Sequence, residues 1–426
     1  VKVRATSNYD SAAYAEVKVS LSDFWLPKRT NMFDSNTGEV MPVTAVMVNP
    51  YTASGSDFIV YAGTSGYGVW VATFSDLPGN TSGGYWQPIH VNISASTKNS
   101  KGEFSINHIT ISPDKDVFAA TASGVWYIAK DSGPLNPPIA VTHANLSASN
   151  FLKLAFDNKN SELLYATTPG GVYGLELGDP PNQNQLKNAK IVLDTTNSYR
   201  EYEERPDPAT PTLIIKAYSN VDSPNPINGI LRTIAYDDYN DRLYAAGEGG
   251  IFLYLGDTST PNIIATPSVK TFLNDPPASD TAQLIVRHLS NNQPITPPPL
   301  AAPPLDIALD VINRNSLWAA TVGGVYRSVD NGLTWTLSAF GTGSSINTRA
   351  IIVDPTNTIN VLAGSEDGLY RTTDAGTNWT RIKSGLGNHK TITGLAQAAG
   401  LAGARRKVWA ATAGGVFMGK QSLDLE

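Results

Sequence analysis

A charged run at positions 199–205 is the first place in this sequence where the side chains could do chemistry. The run comprises Tyr199, Arg200, Glu201, Tyr202, Glu203, Glu204 and Arg205. Glycoside hydrolases need two carboxyl groups about 5–10 Å apart, and this run could supply them together with Asp207. Charges that alternate in this way also occur along solvated strand edges, which is the interpretation we prefer. We treat the residues of this run, with the exception of Glu201, as a candidate binding surface.

Other patterns of catalytic or metal-binding residues are missing. The five histidines, at positions 90, 108, 143, 288 and 389, never approach the spacing of metal ligands. Cysteine is absent, which excludes disulfides, thiolate nucleophiles and cysteine-ligated zinc. The acidic segment 237–241 could bind calcium, but its position matches a turn in every copy of the repeat described next, so we predict a turn. No glycine-rich loop precedes a helix, and no cofactor is predicted.

A repeated strand–turn–strand unit must position these residues. Residues 317–335 read LWAATVGGVYRSVDNGLTW, and residues 361–379 read VLAGSEDGLYRTTDAGTNW. Fainter copies begin at positions 60, 117, 164, 243 and 408, and equivalent positions are 44 to 79 residues apart. The short spacings match the roughly 40–50 residues of a four-stranded propeller blade. An apolar strand and an Asp/Asn turn precede five of the copies, so the sequence predicts an all-β, seven-bladed β-propeller.

Two corners within the repeat resemble a known motif. Residues 328–335, SVDNGLTW, resemble the Asp-box, or bacterial neuraminidase repeat, and residues 372–379 resemble it with Thr in place of Ser. We expect the Asp to accept backbone N–H groups, the Gly to adopt a positive φ and the Trp to enter the core. The expected corner residues are Ser328, Asp330, Gly332, Trp335, Thr372, Asp374, Gly376 and Trp379. The resemblance implies a structural corner remote from any catalytic centre.

Enzymes and assembly factors that share this repeat offer further comparisons. Sialidases carry an Arg-Ile-Pro type motif that is missing here; the nearest match, Arg205-Pro206, lies inside an insertion. Xyloglucanases pair two such propellers around a cleft, and this chain has one. A third possibility is an assembly factor that resembles the photosystem II propeller chaperones, which the acidic charge and the long insertions disfavour.

Composition bears on compartment and partners. The formal net charge of −6 argues against nucleic acid as a partner. No apolar run approaches the roughly 20 residues that span a bilayer, so no direct membrane insertion is predicted. A chain that opens on Val1 is interpreted as a processed or excised product. Few charges and much Asn, Thr, Ser, Gly and Pro favour a secreted or cell-surface protein of a bacterium or archaeon. Four sequons allow N-glycosylation, at Asn80, Asn92, Asn145 and Asn378.

The domain plan follows from the repeat. Residues 1–22 predict a β-hairpin, either the end of a preceding immunoglobulin-like module or a rim extension of the propeller. The last copy ends at Phe417 without a fourth strand, so residues 23–30, with Trp25, are predicted to supply it and close the ring. Two long insertions are predicted in the propeller of residues 23–426. The first, 178–228, contains a possible strand pair, 191–194 with 213–217; the second, 258–304, is proline-rich and favours extended polyproline conformation.

The sequence therefore predicts a non-catalytic module that binds other protein subunits of a surface assembly. Long loops on a rigid scaffold are the usual binding surfaces. The alternative is a carbohydrate-active enzyme or a carbohydrate-binding propeller, with polysaccharide as the partner. Fold alone names no activity, so the choice depends on the site.

Overall fold

The computed structural model describes most of the chain, and within the described residues every regular element is a β-strand. The described residues are 2–6, 14–18, 25–27, 31–33, 37–49, 57–75, 84–89, 105–129, 139–141, 150–157, 160–178, 185–194, 199–206, 214–223, 230–239, 242–248, 250–258, 283–288, 303–332, 335–338, 346–382, 385–386, 388–397 and 407–420. Strands are numbered β1 to β32 along the chain.

Seven sheets stand around one axis, six with four strands and one with six. The first strands of blades 1 to 7 contact one another in a closed ring and are β4 (Val43–Val48), β8 (Ile106–Ile111), β12 (Lys153–Asp157), β18 (Leu231–Asp237), β22 (Pro304–Leu309), β26 (Thr348–Val353) and β30 (Ile392–Gln397). The second strands are β5 (Asp57–Thr64), β9 (Val117–Thr121), β13 (Asn160–Thr168), β19 (Arg242–Gly247), β23 (Leu317–Thr321), β27 (Val361–Ser365) and β31 (Lys407–Thr412). The predicted seven-bladed β-propeller is confirmed.

The outer half of each blade completes an antiparallel meander. The third strands are β6 (Val69–Ser75), β10 (Gly124–Ile128), β14 (Gly171–Leu177), β20 (Gly250–Thr258), β24 (Gly324–Ser328), β28 (Gly368–Thr372) and β32 (Gly415–Lys420). The fourth strands of blades 1 to 6 are β7 (Gln87–Pro88), β11 (Ile139–Ala140), β15 (Leu186–Asp194), β21 (Gln283–His288), β25 (Thr336–Ser338) and β29 (Thr380–Ile382).

The core lies between neighbouring blades because each sheet has two apolar faces to bury. Blades 1 and 7 share one cluster, in which the Phe74 ring lies 4.5 Å from the Trp409 ring and 5.7 Å from the Trp86 ring, centroid to centroid. Trp86 is fully buried, as expected for a blade residue rather than a surface aromatic. Small second-strand residues such as Ala119 and Ala410 are also buried, which lets the first strands crowd the axis.

The N-terminal segment closes the ring. Strand β3 (Trp25–Pro27) pairs antiparallel with β32, and Trp25 lies opposite Gly419 and Pro27 opposite Phe417. This pairing confirms the predicted closure, with a strand shorter than residues 23–30. Closure removes two sheet edges and ties the first strand of the ring to the last. Strands β1 (Lys2–Thr6) and β2 (Tyr14–Lys18) form a separate two-stranded hairpin.

Blade 4 differs from the others because two further strands extend it. β16 (Tyr199–Pro206) lies parallel to β21 and antiparallel to β17 (Ile214–Ser223). The predicted pair of 191–194 with 213–217 is wrong: residues 191–194 belong to β15 in blade 3, where β14 already offers a sheet edge. The proline-rich segment also contains a regular strand, β21, whose consecutive Leu284, Ile285 and Val286 favour a sheet over a polyproline helix.

Candidate functional site

The first strand of each blade carries one residue at an equivalent register position, opposite a small residue or threonine of the second strand. In blade order these residues are Ala45, His108, Lys153, Thr233, Asp306, Ala350 and Gly394. Blades 2 to 5 place polar residues here, whereas blades 6, 7 and 1 place Ala or Gly. We name the four polar residues His108, Lys153, Thr233 and Asp306 the axial cluster.

An ion pair crosses the axial cluster. Lys153 Nζ in blade 3 contacts Asp306 Oδ1 in blade 5, past blade 4, and the two side chains are only 20% and 14% exposed. The same carboxylate accepts the Thr233 hydroxyl at 3.4 Å and the backbone N–H groups of Ile307 at 3.0 Å and Ile351 at 3.1 Å. Both carboxylate oxygens therefore have partners, and the contacts join blades 3, 4, 5 and 6 around the axis.

His108 completes the cluster as a neutral group. Its Nδ1 accepts the backbone N–H of Leu154 in blade 3 at 3.3 Å. Burial, and secondly the positive charge of Lys153, lower the pKa of His108 to about 3. An efficient general base has a pKa near the working pH, so this imidazole is a poor one. Its position suits a structural acceptor between two blades.

The charged residues beside the axial cluster are also paired. The residue before Thr233, Arg232, lies 2.6 Å from Glu248 in the turn of the same blade, and Arg349 lies 2.5 Å from Glu366 at the same place in blade 6. The Arg232 hydrogen bond is the main cause that lowers the pKa of Glu248. At this end of the disc, these two Arg–Glu pairs each form within one blade rather than converge on the axis.

At the other end of the disc, aspartates close the turns between first and second strands. Asp310 Oδ1 accepts the N–H of Ile312 at 3.0 Å, Asp354 Oδ1 accepts that of Thr356 at 2.9 Å, and Asp237 Oδ1 accepts that of Tyr239 at 3.1 Å. The segment at Asp237 is accordingly a turn, as predicted. In the described part of the chain, no group of three or more His, Asp or Glu residues is arranged to hold a metal ion.

The two predicted corners share their hydroxyl hydrogen bonds in blades 5 and 6 and differ in the partner of the tryptophan. The Ser328 hydroxyl donates to Asp330 at 2.8 Å and accepts the N–H of Gly332 at 2.7 Å. The Trp335 indole donates to the Gly332 carbonyl at 2.9 Å, and its side chain is buried. Gly332 has a φ of 85°, in the left-handed region that favours glycine. The Ser328 hydroxyl thus links the Asp330 carboxylate to the backbone of this corner.

In the second corner, the Thr372 hydroxyl donates to Asp374 at 2.7 Å and accepts the N–H of Gly376 at 2.9 Å. Asp374 also accepts the backbone N–H of Asn378 at 2.8 Å, the first of the hydrogen bonds that lower the pKa of this carboxyl. Trp379 is half-buried rather than buried, and its indole donates to Ser338 of the neighbouring blade at 2.9 Å.

This second corner also holds two blades together. Ser338 Oγ donates to the Gly376 carbonyl at 2.7 Å, and Arg327 donates to the Ala375 carbonyl at 3.1 Å. The Trp379 ring meets the buried Trp318 ring edge-on at 6.2 Å between centroids. The corner is therefore part of the contact between blades 5 and 6.

In the sheet of blade 4, other strands separate the predicted binding run from the first strand, which carries a residue of the axial cluster. Tyr199, Arg200, Tyr202, Glu203, Glu204 and Arg205 all belong to β16. β16 has a strand on each side, so it is an interior strand of the extended blade 4 and not a sheet edge. Register places Glu204 opposite Lys216 and Arg200 opposite Asp222 of β17. These two charged residues of the run therefore have residues of opposite charge at the facing positions of β17, within the same hairpin.

One of the four sequons lies among the described residues. Asn378 is exposed, and its side-chain amide donates to Asp374 Oδ2 at 2.7 Å, within the second corner. Asn80, Asn92 and Asn145 lie outside the described residues. Glycosylation at all four positions stays a prediction.

Sequence reasoning missed the axial cluster. Lys153 and Asp306 are 153 residues apart and match no motif. A signal was nevertheless present in the alignment of the repeats: these two positions, like His108, are polar where blades 6, 7 and 1 have Ala or Gly. Only a superposition of the first strands would have identified it.

Comparisons with known proteins give the fold and little else. No family model matches this chain, and no curated protein matches it either. Among solved structures, it is similar to a GH74 xyloglucanase from Xanthomonas campestris, with 12% identity and a TM-score of 0.55 over 93% of this chain and 54% of that one. It is similar to Sqt1 from Saccharomyces cerevisiae, with 11% identity and a TM-score of 0.53 over 94% of this chain and 98% of that one.

A third similar structure is the extracellular domain of a two-component system from B. thetaiotaomicron, with 11% identity and a TM-score of 0.50. The alignment covers 89% of this chain and 38% of that domain. This chain thus spans less than two thirds of two of the three structures. Among the residues that the structure describes, none forms a helix long and apolar enough to cross a membrane.

Proposed function

We propose that this chain is a non-catalytic propeller on the cell exterior that serves as a binding or structural module of a larger protein assembly. The observation that carries the proposal is the axial cluster. The position nearest the axis is where a propeller can bring side chains of several blades together, and here those side chains bind one another. Asp306 is held by Lys153 and by three hydrogen bonds.

The distribution of carboxylates further supports a non-catalytic role. Glycoside hydrolysis needs one carboxyl group whose pKa is raised and a second that stays ionised nearby. Within the described residues, the aspartates and glutamates near the axis contact cations or backbone N–H groups. Ion pairs of this kind favour a stable ring over a reactive site.

The finer family assignment is also a proposal. The hydroxyl–Asp–Gly geometry shared by residues 328–335 and 372–379 supports their assignment as Asp-box corners. Similarity to an extracellular domain, together with the sparse charge, supports a location outside the cell. The hydrogen bonds of the second corner to Ser338 and Arg327 of the neighbouring blade support a structural use of that corner.

A hydrolysis assay tests the non-catalytic part of the proposal. Wild-type protein and the Asp306→Asn variant are incubated with xyloglucan and other soluble β-glucans, and reducing ends are measured. We expect wild type to release no more reducing ends than a blank without protein. Release by wild type above the blank would refute the proposal, and its loss in the variant would give the axial carboxylate a catalytic role.

Native mass spectrometry tests the assembly part. The protein is isolated under mild conditions from its source, and the mass of the intact particle is compared with that of one chain. We expect a larger particle that contains additional protein chains. A particle of one chain mass at all concentrations would contradict a role in assembly.

Carbohydrate binding is the second candidate, and two exposed aromatics favour it. Tyr239 is 68% exposed and faces Arg314, whose guanidinium lies 5.3 Å from the ring centroid, while Tyr85 is 62% exposed. Aromatic rings bury much apolar area at low entropic cost, which suits stacking against sugars. Affinity electrophoresis in gels that contain xyloglucan would show retarded mobility, which Tyr239→Ala would reduce and which a surface change elsewhere, Ile139→Ala, would leave unchanged.

A further inference from the structure

Every sheet among the described residues ends in strands with one neighbour only, and three of these edges lie outside the seven four-stranded blade units. β17 is the last strand of the six-stranded sheet of blade 4 and pairs with β16 alone. The hairpin β1–β2 is a sheet of two strands. Open edges present rows of backbone N–H and C=O groups that can pair with another strand. A two-stranded hairpin gains stability when a further strand pairs with it.

The two edges match in length. Residues 214–218 of β17 pair with β16 one to one, and the register becomes irregular beyond Tyr218. β1 and β2 have five residues each, and all five pair regularly. Each edge thus offers a regular stretch of five residues.

The charges of the central residues then indicate which edge of the β1–β2 hairpin fits the β17 edge. The central residue of 214–218 is Lys216, and register places it opposite Glu204 of β16. The central residue of β2 is Glu16, which lies opposite Arg4 of β1. The β2 edge would bring Glu16 opposite Lys216, whereas the β1 edge would bring Arg4 there, and like charges directly opposite each other destabilise a sheet.

We propose that the β2 edge of one molecule pairs antiparallel with the β17 edge of a second copy of this chain. One row of the combined sheet would then read Glu204, Lys216, Glu16, Arg4, with charges that alternate in sign across four strands. The neighbouring rows are compatible: Ile215 lies opposite Val17, Ala217 opposite Ala15, and Tyr218 opposite Tyr14. Each opposite-charge or apolar cross-strand pair of this kind stabilises a sheet by about 0.2–1 kcal/mol.

The partner is a second copy because a single molecule cannot bring its own two edges together. The hairpin is joined to β3 in blade 7 by residues 19–24, which span at most about 25 Å when fully extended. Blade 4 lies across the ring from blade 7. With strands about 4.8 Å apart, the four strands of blade 7 and the six of blade 4 separate β3 from β17 by about 40 Å.

A contact between two different surfaces is head-to-tail, and it generates a ring or a filament of copies. This inference rests on the proposed role as an assembly module and identifies the partner. The extension of blade 4 and the N-terminal hairpin are not part of the closed ring, and the proposed contact gives both a role in assembly.

Disulfide cross-linking tests the register directly, because the chain contains no cysteine. The full-length variants Glu16→Cys and Lys216→Cys are purified separately, mixed and mildly oxidised, and the products are separated without reductant. A disulfide needs Cβ atoms about 4 Å apart, so we expect the mixed dimer to exceed either homodimer by about tenfold. The matched control is Ala15→Cys mixed with Lys216→Cys, in which the cysteine is one residue out of register and on the opposite face of the strand.

Two results would overturn the inference. One is a mixed dimer no more abundant than the homodimers; the other is an Ala15→Cys mixture that cross-links as well as the Glu16→Cys mixture. Sedimentation of the wild type gives an independent measurement, in which the average mass must rise with protein concentration. A wild type that stays monomeric here, while the particle isolated from its source contains other proteins, would refute self-association and leave the proposed function intact.

Discussion

The substitution Gly376→Ala should be far more damaging than its size suggests, because two separate costs meet at this corner. Gly376 has a φ of 87°, a conformation that costs an L-residue about 1–2 kcal/mol. A Cβ here would also lie against Ser338 Oγ and 2.8 Å from the buried Trp318 ring. Ser338 cannot move freely, since it bonds both the Gly376 carbonyl and the Trp379 indole.

Overpacking of this kind costs about 1–3 kcal/mol, so we expect Gly376→Ala to lower the free energy of unfolding by about 2–5 kcal/mol in total. Gly66→Ala is the matched control. Gly66 has a φ of 93°, and a Cβ there would meet nothing within 4 Å. It carries the backbone cost alone, about 1–2 kcal/mol.

The measurement is guanidinium unfolding followed by tryptophan fluorescence, with midpoints compared at a common m value. We expect the corner variant to unfold at lower denaturant than the control, by the equivalent of about 1–3 kcal/mol. Equal midpoints for the two variants would refute the reasoning, because they would show that blades 5 and 6 are not tightly packed at the corner. A change in m would instead indicate that the transition no longer involves the same surface.

The axial cluster yields two further predictions. A histidine in the unfolded chain takes up a proton near pH 6.5, whereas His108 in the folded protein does so near pH 3. The contribution of neutral His108 to the free energy of unfolding is therefore complete above pH 6.5 and is lost as the pH falls towards 3. In urea titrations, the stability of wild type relative to His108→Asn should therefore drop by about 3 kcal/mol between pH 7 and pH 4; parallel pH profiles would contradict this. Lys153→Met leaves the Asp306 carboxylate without its cation and should cost about 3 kcal/mol, the low end for a broken buried pair because three hydrogen bonds to Asp306 remain. In a double-mutant cycle with Asp306→Asn, the two costs should be less than additive; additive costs would show that the ion pair contributes nothing.

The repeat made most of the fold predictable because its signals are local. Short β-branched strands, Asp turns and glycine corners specify their own backbone within a few residues. Closure was also predictable, since a last copy without a fourth strand and an N-terminal strand without the inner strands of a blade are complementary in the sequence itself. The corners at Ser328 and Thr372 were found for the same reason: each motif spans eight residues and forms its hydrogen bonds within itself.

Blade 4 was less predictable because strand partners there are chosen over long distances. Residues 191–194 can form a strand with any open edge, and β14 was nearer along the chain than the segment at 213–217. β16 joins β21 in parallel across more than 80 residues, a pairing that no turn signal marks. The prolines on either side of β21 also concealed a strand whose own residues favour a sheet.

The sequence by itself determined the number of blades, the turns and corners, and the way the ring closes, because each of these depends on contacts between near neighbours or on a simple count of strands. The tertiary structure alone decided what stands at the axis. His108, Lys153 and Asp306 occupy equivalent positions in different blades, and only the curvature of the closed ring brings Lys153 to Asp306 past the blade between them. A local sequence pattern cannot predict the contact between Lys153 and Asp306, because that contact forms only when the whole ring is closed.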